Sequence, residues 1–187
     1  ITLGHRGLIQ VGPSYQSTEV PHIYAAGDVI GAPALAATGI EQARVAVHHA
    51  FNEPLASGLS RLLPTGIYTI PESSFVGETE QSLMEKKIPY IVGRCRYEDI
   101  PRGNIIGDHQ GFLKLLYHQE DMRLLGVHVM GEQATEVVHL GLLAMTMNAT
   151  ADLFHQVCFN YPTLGDLYKH ATYDAMRTAK QFGVSNL

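Results

Sequence analysis

The chain has 187 residues, 45% hydrophobic and 17% charged, with 13 Lys and Arg against 18 Asp and Glu for a formal charge of −5. That length suits one domain, or one domain with part of another. Mild acidity without a Lys/Arg cluster argues against a polyanionic partner such as nucleic acid or an anionic lipid surface, and no run of about 20 uninterrupted apolar residues offers a membrane span.

The start, Ile1 to Gly12, has no initiator Met and lacks the charged head and apolar run of a secretory signal. The expectation is a C-terminal portion of something longer. Gly7 to Gly12 alternates weakly, and Gly12-Pro13-Ser14 reads as a turn. His22 to Ala26 is a short apolar run fit for a buried strand, ending at Gly27-Asp28. After Gly31-Ala32-Pro33 comes a helix over 34–51, with Ile40, Ala43, Val47 and Ala50 forming one apolar stripe. Asn52-Glu53-Pro54 ends it, and residues 53–65 read as a linker.

Beyond the linker, 66–70 is β-branched and aromatic, a strand stopped by Pro71. A short helix follows over 79–87, with Thr79 as N-cap. Tyr90 to Arg96 is a strand, and 111–118 with 124–130 form an antiparallel hairpin around a five-residue polar connection. The helix over 132–147 is apolar on more than one side, which suits a domain centre or a subunit interface. Helices over 150–157 and 164–180 complete an α+β fold, an antiparallel sheet with packed helices. Cys95 and Cys158 form no C-x-x-C pair, so free thiols and a cytoplasmic setting are expected.

The richest chemistry lies in Ser17 to Val29. Gly27 lets a ligand approach the backbone, and Asp28 offers an acceptor-only carboxylate to sugar or polyol hydroxyls. The helix starting near Leu35-Ala36-Ala37 points free N–H groups and its positive end at the same place. A plain strand–turn–helix junction with a capping Asp would use the same residues.

Thr18 followed by Tyr24-Ala25-Ala26-Gly27-Asp28 resembles the second FAD-binding signature of the two-dinucleotide-binding-domain flavoproteins. These are FAD-dependent pyridine nucleotide-disulfide oxidoreductases such as glutathione reductase and lipoamide dehydrogenase. The resemblance implies that Asp28 binds the ribityl chain of FAD, while Leu35, Ala36 and Ala37 lie beside the flavin pyrimidine edge. It implies that residues 1–52 end an FAD-binding domain and that 66–187 form a dimerisation domain, making the protein a homodimer. The helices over 132–147 and 164–180 would then supply most of the dimer contact.

A second patch, Phe159-Asn160-Tyr161-Pro162-Thr163-Leu164-Gly165-Asp166, separates members of that family. Its disulfide reductases carry His-Pro-Thr-x-x-Glu there; this chain has Tyr161 for the His and Asp166 for the Glu. A phenol with a reference pKa of about 10 cannot shuttle protons near neutrality as an imidazole does. Together with residues 64–71, the patch is similar to the family's transhydrogenase branch, implying hydride exchange between NADPH and NAD through FAD without a redox-active disulfide. Tyr161 and Pro162 would then close the partner subunit's flavin pocket. Pro162 and Thr163 also suit a simple helix entry, and Asp166 suits the start of the last helix.

The ten histidines show no metal-ligand spacing. His118 and His128 are expected to face each other across the hairpin, His139 to sit in an interface or the core, and Cys158 to be a small buried hydrophobe. No G-x-G-x-x-G occurs among the 18 glycines, so the chain alone is expected to bind FAD poorly or not at all, and not to bind NADPH. Two other readings stay open: a related reductase of a disulfide or quinone, and a stand-alone dimerisation module with no activity.

Overall fold

Period-two alternation in residues 73–130 builds one antiparallel sheet, because every second side chain can turn toward covering helices. The computed structural model describes residues 1–55 and 58–182, and contacts group the chain into two units, residues 1–63 and 64–187. Residues 56–57, within the expected linker, and 183–187, at the expected domain's end, lie outside the described residues.

In residues 64–187 the strands are β1 Thr65–Ile67, β2 Ser73–Gly77, β3 Tyr90–Arg96, β4 Phe112–His118 and β5 Leu124–Met130, in spatial order β1-β2-β5-β4-β3. All neighbours are antiparallel. The helices of this unit are α2 Glu80–Glu85, α3 Pro101–Ile106, α4 Ala134–Thr146, α5 Ala151–Gln156 and α6 Asp166–Gln181. This is the expected α+β architecture. Thr79 caps α2 as anticipated, its hydroxyl accepting from Ser82 N–H at 3.0 Å.

One face of the sheet carries the core. Val76, Ile91, Leu113, Leu115, Tyr117, Val127 and Val129 are buried there, with α6 packed on β3 and β4 and α4 on β5 and β2. Close approach needs two glycines. A side chain at Gly93 would run into the Ala171 carbonyl of α6, and one at Gly141 would run into Val127 of β5. The Tyr168 hydroxyl accepts from Gly141 N–H at 3.0 Å and donates to Val137 C=O at 2.9 Å, tying α6 to α4. Beside it, the Tyr117 and Thr172 hydroxyls are hydrogen-bonded at 2.7 Å.

Two elements of this unit lie outside the sequence reading. β2 follows Pro71 and opens with two serines, yet Ser74 is buried because its hydroxyl donates to Thr65 C=O at 2.8 Å. α3 starts at Pro101 and contains Gly103, where any side chain would strike the Tyr97 carbonyl. The apolar α4 divides its faces: Val137, Val138, Ala144 and Met145 are buried, whereas Leu140 and Leu143, with Met147 just after the helix, are exposed.

Residues 1–63 hold one long helix, α1 Ala36–Ala50. The expected strand at His22–Ala26 does not form: Gln16 and Tyr24 make a single bridge, as do Leu3 with Ile9 and Val11 with Ser17. The stripe of Ile40, Ala43, Val47 and Ala50 faces outward; α1 buries Thr38, Gln42, Val45 and Ala46 instead. Its inner face is set by contact with the Gly27 turn, and no multi-strand sheet occurs among the described residues of this unit to cover the stripe.

Candidate functional site

The candidate residues fall in both units. In residues 1–63, Gly27–Ile30 is a single 3₁₀ turn entered from extended Ala26. Gly27 has φ +78, a conformation that favours glycine, and a Cβ there would meet open space. Its N–H donates to Gln42 Oε1 at 2.7 Å, and a Cβ on Gly39 would sit 3.3 Å from the Gly27 Cα. The turn is thus fixed against α1 by one side chain and one missing side chain. Gln42 and Gly39 were not among the candidates, although an isolated Gly within an Ala-rich helix is itself a sign of close backbone approach.

Asp28 follows with its residue exposed to solvent. Leu35 is the N-cap of α1 and no side chain caps the helix, while Ala36 and Ala37 present only exposed methyl groups beside its first-turn N–H donors. An acceptor carboxylate, an open glycine and a bare helix start form a donor and acceptor set that fits a polyol chain carrying a hydrogen-bonding ring. FAD is such a group.

In residues 64–187, Tyr161 and Pro162 lie on the loop between α5 and α6, joined by a cis peptide bond, and both are exposed. Tyr161 is 67% exposed. Among the described residues its side chain makes no hydrogen bond, to Asp166 or to any other group. Asp166 instead opens α6, with its carboxylate 3.5 Å from His170.

The remaining titratable groups are structural in their surroundings. Cys95 is buried, and burial followed by the charges of Asp99, Asp166 and Asp174 pushes its thiol up to about 12, so it is no ready thiolate. Cys158 is free and exposed, not the buried hydrophobe expected, because the loop after α5 turns it outward. His118 and His128 do not face each other: His118 pairs with Tyr90 of β3, and His128 lies between Lys114 of β4 and Phe75 of β2. His139 is exposed, on the outward side of α4.

Two carboxylates are held ionised by hydrogen bonds, Glu80 by Lys114 first and Glu78 by Lys86 first; both lie below the usual range. For Asp108 burial opposes the charge, but the N–H groups of Glu132, Gly111 and Gln110 together outweigh it and lower the pKa. Among the described residues no three His, Cys, Asp or Glu side chains gather as a metal site, and no helix is long and apolar enough to cross a membrane.

A five-stranded antiparallel sheet with α4 and α6 on one face and a tyrosine-bearing loop after α5 defines an α+β domain, preceded in the chain by a Gly-Asp turn. Residues 63–172 match the family described as pyridine nucleotide-disulphide oxidoreductase, dimerisation domain, and the chain belongs to that family. A soluble pyridine nucleotide transhydrogenase of Mycobacterium bovis (strain BCG / Pasteur 1173P2) is 51% identical over 180 residues, 95% of this chain and 38% of that relative. One from Enterobacter sp. (strain 638) is 41% identical over 179 residues, 94% of this chain and again 38% of the relative. The chain thus spans well under half the length of these curated relatives.

Among solved structures, LpdA from Mycobacterium tuberculosis superposes with a TM-score of 0.81 at 23% identity, covering 92% of this chain and 38% of LpdA. The Cu(II) complex of the HOCl-induced flavoprotein disulfide reductase RclA from Escherichia coli gives 0.85 at 20%, covering 92% and 39%. At these identities the likeness is one of fold.

Proposed function

We propose that the chain is part of a homodimeric, cytoplasmic flavoenzyme that transfers hydride between NADPH and NAD by way of FAD and uses no redox-active disulfide. Residues 1–52 supply one edge of the FAD site, residues 53–65 link, and 66–187 dimerise. When bound, FAD supplies the acceptor and donor of hydride; the protein supplies orientation and electrostatics.

Asp28 accepts hydrogen bonds from the ribityl hydroxyls, and Gly27 leaves them room. Leu35, Ala36 and Ala37 place the positive end of α1 beside the pyrimidine edge, where it favours negative charge. Tyr161 and Pro162 border the flavin pocket of the other subunit. The outward face of α4, with Leu140 and Leu143, and Met147 just beyond it offer apolar surface for the homodimer, and α6, which keeps Leu167, Tyr168, Ala171 and Ala175 within its own unit, adds its exposed Tyr173.

The observation that carries this reading is the 51% identity, over nearly the whole chain, to relatives named soluble transhydrogenases. The geometry of Tyr161 supports it: a phenol with no hydrogen-bonded carboxylate does not make the imidazole–carboxylate pair that dithiol chemistry needs.

The test uses the FAD-loaded protein expressed from its complete reading frame, with NADPH and NAD as the only substrates. Hydride transfer is expected to continue at an unchanged rate after exhaustive thiol alkylation. Loss of transfer on alkylation, or a requirement for an added disulfide or quinone, would overturn the proposal.

A further inference from the structure

The loop that carries Tyr161 is tethered on both sides of Tyr161 and at its N–H, and the Tyr161 side chain is left free. Before it, Lys169 Nζ donates to Val157 C=O at 2.8 Å, and the Phe159 ring stacks on Phe154 with centroids 6.5 Å apart and planes at 20°. After it, Thr163 Oγ1 donates back to Asn160 C=O at 2.7 Å. Gly165 makes room for both sides of the loop: a Cβ there would sit 3.2 Å from the Phe159 ring and 3.4 Å from Thr163 Oγ1. At the centre, Asn160 Oδ1 accepts the Tyr161 N–H at 3.1 Å.

Asn160 therefore engages the loop through both of its acceptors, its carbonyl held by Thr163 and its carboxamide oxygen holding Tyr161. The Tyr161 ring projects with 67% of its surface free. These contacts do not serve the start of α6, whose N-cap is Gly165 with no side-chain cap. An exposed aromatic on a loose loop loses conformational freedom on every contact, whereas one on a tethered loop has lost it already.

We propose that Asn160 is a positioning residue: its carboxamide oxygen sets the direction in which Tyr161 is presented to the flavin of the partner subunit, with Thr163 holding Asn160 and Lys169 holding the start of the loop at Val157. This rests on the reading that Tyr161 borders that flavin. Asn160 touches no reacting atom, and its effect passes through the Tyr161 backbone.

The experiment compares Tyr161→Leu, Asn160→Ala, Asn160→Asp and Thr163→Val in the FAD-loaded protein from the complete reading frame, read by flavin fluorescence yield. An aromatic ring against a flavin quenches its emission, so Tyr161→Leu is expected to raise the yield. Asn160→Ala and Thr163→Val should raise it part of the way. Asn160→Asp should restore the wild-type yield, because a carboxylate oxygen accepts the same N–H. In the 187-residue chain without flavin, the Tyr161 amide should exchange with solvent about tenfold faster in Asn160→Ala than in wild type.

Wild-type yield in Asn160→Ala and Thr163→Val, alongside a raised yield in Tyr161→Leu, would overturn the role of Asn160 while leaving Tyr161 at the flavin. Equal effects of Asn160→Ala and Asn160→Asp would also overturn it, since the acceptor oxygen would then not matter. A wild-type yield in Tyr161→Leu would remove the flavin contact itself, and this inference with it.

Discussion

The sheet of residues 64–187 takes Val76, Leu113, Leu115 and Val127 out of reach of water, whereas in residues 1–63 α1 turns Ile40 and Val47 outward at 68% and 53% exposure. Both regions contain helices with apolar and polar sides. In the first, the two sides of the core meet: β3 and β4 meet α6, and β5 and β2 meet α4. In the second, α1 is fixed by a Gln42–Gly27 hydrogen bond and a glycine contact, and its stripe stays wet. An apolar stripe stabilises a helix only where something covers it, so the same pattern has different energetic weight in the two regions.

That contrast can be broken most forcefully in the sheet. Leu115→Ala opens a cavity in a fully buried layer and should cost roughly 2–5 kcal/mol in chemical denaturation of residues 64–187. Ile40→Ala on the exposed stripe should move stability by no more than about 0.5 kcal/mol. Comparable losses from the two substitutions would show that the stripe is covered in solution.

A subtler probe lies in the sheet of residues 64–187. His128 stacks on Phe75 at 6.2 Å, and neither ring nitrogen has a hydrogen-bond partner. Burial, with Lys114 across the strand and only partly offset by Glu80, pushes its pKa from 6.5 to about 4. The folded pKa is the lower one, so the unfolded chain takes up a proton first as pH falls. The stability due to a neutral His128 is therefore whole above pH 6.5 and is lost progressively down to about 4. His128→Phe should flatten the fall of the melting temperature across that window. The lowered carboxyls of Glu78, Glu80 and Asp108 remain to drive the loss at still lower pH. An unchanged slope between pH 6.5 and 4 in the variant would contradict the burial of a neutral ring.

The sheet region was legible because its signals are local and mutually consistent. Tyr90–Arg96 and the hairpin alternate with period two, and Thr79 stands before an apolar turn as a capping residue should. β2 escaped because a buried serine reads as polar until its partner, the Thr65 carbonyl, is known. α3 escaped because Gly103 looks like a breaker until the Tyr97 carbonyl is found where a side chain would go. In residues 1–63 the turn at Gly27-Asp28 was legible. The strand expected before it was not borne out, since a strand needs neighbours and Tyr24 has one bridge partner. The supports of the candidate site, Gln42, Gly39, Asn160 and Thr163, act through hydrogen bonds and close contacts that spacing alone does not reveal.

The central claim is that Asp28 grips the prosthetic group, and flavin content tests it most directly. The protein from the complete reading frame and its Asp28→Ala variant would be passed through gel filtration and compared by the ratio of visible flavin absorbance to protein absorbance. Losing a charged acceptor should weaken retention about tenfold or more, leaving the variant largely colourless while its circular dichroism stays close to that of wild type. A variant that keeps the full wild-type flavin ratio would contradict the account.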